Sequence, residues 1–84
     1  MLREDISEIN PEALLIDGFD EAIIGMAERI NLGPVVAYDV NKILKIMIER
    51  DEMTFDEAIE YFEFNILGAW AGDNTPIFIN KIEE

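Results

Sequence analysis

Eighty-four residues with a mass of 9.6 kDa, 50% hydrophobic and 30% charged, describe one small folded domain, neither a disordered chain nor a membrane span. Nineteen Asp and Glu against six Lys and Arg leave a formal charge of −13 and a pI near 4.1, which argues against binding nucleic acid or an anionic membrane through a basic patch. Cysteine and histidine are both absent, so disulfides, Cys or His zinc sites, thiol nucleophiles and Ser–His triads are excluded.

Residues 1–11 are polar, mixed in charge and end at a proline, so they read as a flexible arm or a short frayed element and not as the basic-then-apolar start of an export signal. ALLID at 13–17 is a brief apolar run closed by Gly18, the pattern of a buried strand and turn, with a helical turn as the other option. From Asp20 the spacing changes. Phe19, Ala22, Ile23, Met26, Ala27 and Ile30 recur at helical intervals, which predicts a helix capped by Asp20 and ending near Asn31–Gly33. Pro34 then introduces VVAY at 35–38, short and β-rich enough for a central strand.

Asp39 suits the N-cap of a second helix whose Val40, Ile43, Leu44, Met47 and Ile48 share one face. After RDEMT, Thr54 and Glu57 form a T-x-x-E capping box that opens a third helix, FDEAIEYFEFNILGAW at 55–70. Gly72, Asp73 and Asn74 supply a turn, and TPIFI at 75–79 reads as a last strand, with Pro76 favouring a sheet edge or a strand end. The expected architecture is an α/β (α+β) domain of order β-α-β-α-α-β, a short sheet packed by three helices. No repeat or linker divides residues 1–84.

The third helix carries more apolar surface than one core needs. At about 100° per residue, Phe55, Ala58, Ile59, Phe62, Ile66, Ala69 and Trp70 form the core stripe. Tyr61, Phe64 and Leu67 point well away from it, with Gly68 beside the line of Tyr61 and Phe64. Exposed large side chains of this kind each forgo about 1.5–3 kcal/mol of burial, so a second packing surface is expected. Either the sheet covers one side of the helix and a neighbouring helix the other, or Tyr61, Phe64, Leu67 and Gly68 belong to a homodimer seam or partner site. Ile24 and Ile46, also off their core faces, would join that seam, and Gly68, Ala69, Ala71 and Gly72 permit close backbone approach. A short chain that repels itself gains from association.

Without histidine, proton transfer would fall to Asp, Glu, Lys or Tyr. The most suggestive grouping is Asp17, Asp20 and Glu21 in IDGFDEA, whose carboxylates could hold Mg²⁺ or Ca²⁺, although the spacing is not that of an EF-hand and Asp20 also serves as a cap. Asp39 has the same double reading, ligand residue at a strand's carboxyl end or ordinary N-cap. Glu52, Asp56, Glu57, Glu60 and Glu63 make an acidic run, either a solvated face or a mimic of nucleic-acid phosphates that would enter a basic cleft. The glycines at 18, 25, 33, 68 and 72 are dispersed and make no phosphate loop.

The segments DGFDEAIIG, AYDVNKIL and EMTFDEAIEYFEFNILGAWAGDNTPIF resemble a group of small acidic proteins of bacteriophages and some bacteria, over residues 14–79, with EYFEFN and GDNTPIF the most specific parts. Trp70 stands where those proteins are expected to carry tyrosine. The resemblance implies a virus-associated or horizontally carried small protein and brings no activity, cofactor or catalytic residue. The reading as a whole is a cytoplasmic, non-enzymatic protein without cofactor or membrane attachment, homodimeric, working by protein–protein contact through Tyr61, Phe64, Leu67 and Gly68. Its alternatives are an acidic inhibitor of a basic host protein using Asp56, Glu57, Glu60 and Glu63, and a divalent-metal enzyme at Asp17, Asp20 and Glu21.

Overall fold

Strand β2, Leu32–Asp39, is the axis of the molecule: Val35, Val36, Ala37 and Tyr38 are all buried. The computed structural model describes residues 3–82. Around β2 it places α1 (Arg3–Ile9), β1 (Ile23–Arg29), α2 (Val40–Arg50), α3 (Phe55–Tyr61) and β3 (Ile77–Ile79). The sheet order is β1-β2-β3, with β1 antiparallel and β3 parallel to β2. Three helices on a mixed three-stranded sheet make an α+β domain of the expected class, and the run from β2 onward follows the expected order β-α-α-β. Among the described residues no helix is long and apolar enough to cross a membrane.

Local chemistry explains the second half of the chain. Asp39 Oδ1 accepts from the amides of Asn41 (3.0 Å) and Lys42 (3.4 Å), so it caps α2, and Val40, Ile43, Leu44 and Met47 enter the core. At the other end of α2, Arg50 bonds Asp51, donates to the Gly18 carbonyl at 2.7 Å and lies 4.9 Å from the centre of the Phe19 ring. Gly18, at φ +88°, lets the chain turn here, and a Cβ at that position would sit 3.2 Å from the Arg50 guanidinium. Pro76 immediately precedes β3, whose three residues form a sheet edge.

The first half departs from expectation in three places. Residues 20–30, expected as a helix, form a short 3₁₀ turn at Asp20–Ala22 and then β1. Register shifts between Ile23 and Gly25 and between Ala27 and Arg29 break the two-residue alternation of this strand. Its apolar residues therefore fall at three- and four-residue intervals and imitate a helix. The hairpin closes through Ile30 and Asn31, and Asn31 takes a left-handed φ of 62°. Residues 13–17, expected as a strand, are irregular: the Leu14 amide donates to the Asn74 carbonyl and the Ile16 amide to the Tyr38 hydroxyl, so no strand ladder forms.

The third departure lies at the amino end. The described part of residues 1–11, expected as an arm or a short frayed element, contains the short helix α1, and the departure is that it docks, with Ile6 a core residue at 1% exposure. One apolar side chain in a polar segment is too sparse a signal for periodicity to find. Arg3 adds a second tie, with Nε 2.8 Å from Asp20 and Nη2 3.2 Å from Asp17.

This docking is measurable. Ile6→Ala should lower unfolding free energy by about 2–4 kcal/mol through lost burial and a residual cavity, whereas Ile9→Ala, on a half-exposed residue of the same helix, should change it by less than about 1 kcal/mol. Equal denaturation midpoints for Ile6→Ala and the native protein would return this segment to the status of an arm.

Candidate functional site

The outward side of α3 and its continuation is where the fold leaves large apolar groups in water. The helix opens on the expected capping box: Thr54 N donates to Glu57 Oε1 at 2.8 Å and Glu57 N to Thr54 Oγ1 at 3.2 Å. The regular α-helix ends at Tyr61, however. Phe62–Ile66 widens into a π-helical turn and Leu67–Ala69 tightens into a 3₁₀ turn. Ala58, Phe62 and Ile66 are buried as expected, and Ile59 and Trp70 pack half-buried against the core. Phe55 and Ala69, expected in the same stripe, are exposed. Phe55 is the first residue after the N-cap, and this end of the helix runs past the core.

Tyr61, Phe64 and Leu67 are 43%, 74% and 49% exposed, as the helical angles require. They do not form one seam. Tyr61 and Phe64, with Met53, Glu57, Glu60 and Asn65, line an open groove of about 480 Å³ on one flank. Leu67 lies on the other flank, in a second groove of about 460 Å³ with Phe55, Ile59, Phe62, Leu44 and Val40. Gly68 is exposed and lines neither; a Cβ there would meet the Glu63 carbonyl at 3.1 Å. Ile24 lies on β1 and Ile46 packs half-buried against the core, so neither belongs to the grooves. The contribution of α2 through Val40 and Leu44 was hidden from the sequence because both also serve the core.

The acidic run divides in the same way. Glu57 and Glu60 line the Tyr61–Phe64 groove, Glu63 lines the Phe55–Leu67 groove, and Asp56, also exposed, lines neither. Residues 51–80 contain seven Asp and Glu and no Lys or Arg. The ion pairs of the described residues join Arg3, Arg50 and Lys81 to Asp17, Asp20, Asp51 and Asp39, and none reaches Glu57 or Glu60. The Thr54 amide and hydroxyl hold the Glu57 carboxyl below its ordinary pKa.

At IDGFDEA the three carboxylates are not gathered for a cation. Arg3 bonds Asp20 and Asp17, and among the described residues no group of three acidic side chains is placed to hold a metal ion. Asp20 lies within the 3₁₀ turn, where its side chain makes no cap. Asp39, besides capping α2, pairs with Lys81 at 3.4 Å. No protein-family model matches this chain, and no curated protein or solved structure is significantly similar to it.

Two solution properties follow from the charges. With −13 in all and one stretch of thirty residues without a cation, raising ionic strength from about 10 mM to about 150 mM, which shortens the screening length from about 30 Å to about 8 Å, should raise the thermal midpoint. A lower midpoint at the higher salt would show that ion pairs outweigh repulsion. Asp20 behaves differently from the bulk of the charge. Arg3 holds its carboxyl below the ordinary 3.8, so its stabilisation is complete above the unfolded-state pKa and is lost as pH falls through the depressed folded value. The pair is about half exposed, which keeps the effect small. Asp20→Asn should therefore be less stable than the native protein at pH 6 and converge with it by about pH 2, as read from parallel urea titrations.

Proposed function

We propose that this protein works by protein–protein contact through the outward side of α3 and its continuation, without catalysis, and that it is a homodimer. The observation that carries the proposal is the exposure of four large apolar side chains, Phe55, Tyr61, Phe64 and Leu67, on one helical segment of a small chain. Aromatic and aliphatic anchors on such a surface are the groups that dominate interface energies when covered.

Charge sorts the two flanks. In a two-fold dimer each patch faces its own copy, so a seam through the Tyr61–Phe64 groove would set Glu57 and Glu60 against their equivalents. The Phe55–Leu67 groove is the better dimer seam, since its lining is apolar apart from Asn41, Asn80 and a single carboxylate, Glu63. A phosphate mimic would call for one continuous row of carboxylates, and the division of the acidic residues between flanks favours contact through apolar anchors instead.

Sedimentation should give a dimer mass for the native protein and a monomer mass for Phe55→Glu, with the helical circular-dichroism signal kept because Phe55 lies outside the core. Phe64→Glu, on the opposite flank, should remain dimeric. A native monomer, or a Phe55→Glu variant that keeps dimer mass, would remove the dimer from this reading.

A further inference from the structure

The Tyr61–Phe64 groove has a composition that the dimer does not use. Two aromatic rings stand with two carboxylates, the Asn65 amide and Met53 around one concavity on the flank away from Phe55 and Leu67. Aromatic faces attract Lys and Arg side chains, and the attraction grows as the cation leaves water. Carboxylates beside the rings supply the compensating charge.

No Lys or Arg lines the groove: Lys42 and Lys45 lie on α2, outside its lining. Arg3, Arg50 and Lys81 are paired to Asp17, Asp20, Asp51 and Asp39, and Arg29 donates to the backbone carbonyls of Gly33 and Asp73. No Lys or Arg occurs in residues 51–80. A second copy would bring like charge to the groove, and nucleic acid or an anionic lipid surface would do the same.

We propose that the groove formed by Met53, Glu57, Glu60, Tyr61, Phe64 and Asn65 docks a basic protein segment that presents a Lys or Arg side chain next to an apolar one. This rests on the contact function given above and names its partner chemistry for the second flank. Phe64 supplies the anchor for the apolar group, Tyr61 and Phe64 supply ring faces for the cation, and Glu57 and Glu60 supply its counter-charge.

The test uses fluorescein-labelled synthetic peptides of about fourteen residues, roughly four helical turns. One carries Lys and Leu at helical spacing; a second keeps every Lys and replaces Leu by Ser; a third keeps Leu and replaces Lys by Gln. Fluorescence anisotropy at about 50 mM salt should show the Lys–Leu peptide binding at least tenfold more tightly than either control, and raising salt to about 300 mM should weaken it. Phe64→Ala should weaken it at least tenfold, and Glu60→Gln should weaken it and flatten the salt dependence. Both substitutions alter exposed side chains, so their folds should hold. Equal binding of the Lys–Ser peptide would reduce the effect to charge attraction and overturn the groove, as would unchanged affinity in Phe64→Ala. Binding to the monomeric Phe55→Glu variant is read separately. A dimer that ignores all three peptides overturns the groove alone, whereas a native monomer that binds the Lys–Leu peptide with these dependences overturns the dimer alone.

Discussion

Tyr38 is the side chain on which the arrangement turns. It is fully buried on the central strand, its hydroxyl accepts the Ile16 amide at 2.9 Å, and its ring stacks on Phe78 at 6.0 Å between centres. Phe78 in turn meets Phe62 edge-on at 5.4 Å. One tyrosine thus joins the irregular 13–17 segment, the central and edge strands, and the π-helical turn. Burial also pushes its hydroxyl above the ordinary tyrosine pKa, outweighing the opposing pull of the Ile16 amide. The core cluster gathers around this ring, while Phe55, Tyr61, Phe64 and Leu67 stay exposed among the described residues.

How legible this was in the sequence depended on whether a signal was local. The cap at Asp39, the Thr54–Glu57 box, the central strand and Pro76 at the edge all rest on chemistry within a few residues, and all appear where the residues predict them. The strand at 23–29 was misread because its register shifts are set by pairing with β2, which no single segment encodes. The 13–17 segment was misread for a related reason. Its backbone donors go to Asn74 and Tyr38, sixty and twenty-two positions away along the chain.

The site was legible as excess apolar surface and illegible as geometry. Helical angles identify Tyr61, Phe64 and Leu67 as outward groups, but they cannot say that α2 builds the wall beside Leu67 while Met53 closes the other groove. Charge adds a distinction of its own. The cations lie in residues 3–50 and at Lys81, and the structure spends four of the six as ties, Arg3 to the 17–20 loop, Arg29 to Gly33 and Asp73, Arg50 to Gly18 and Asp51, Lys81 to Asp39. Residues 51–80 are left with carboxylates and no Lys or Arg, so the exposed apolar groups of α3 and its continuation sit among charges of one sign.

The exposure of Phe64 is a consequence of winding, and no small rearrangement removes it. Residues four apart in a regular α-helix advance about 40° beyond a full turn, so Ala58, Phe62 and Ile66 would drift some 80° around the axis. The wider π turn at Phe62–Ile66 advances less per residue and offsets that drift, which keeps Phe62 and Ile66 together beneath Phe78 and the core. Phe64 lies two residues from each, close to half a turn from both. Any helix that buries Phe62 and Ile66 must turn Phe64 outward, whichever of the two windings it adopts. The core could recover that ring only by releasing one of its own anchors, so the phenylalanine is held at the surface by the same packing that stabilises the domain.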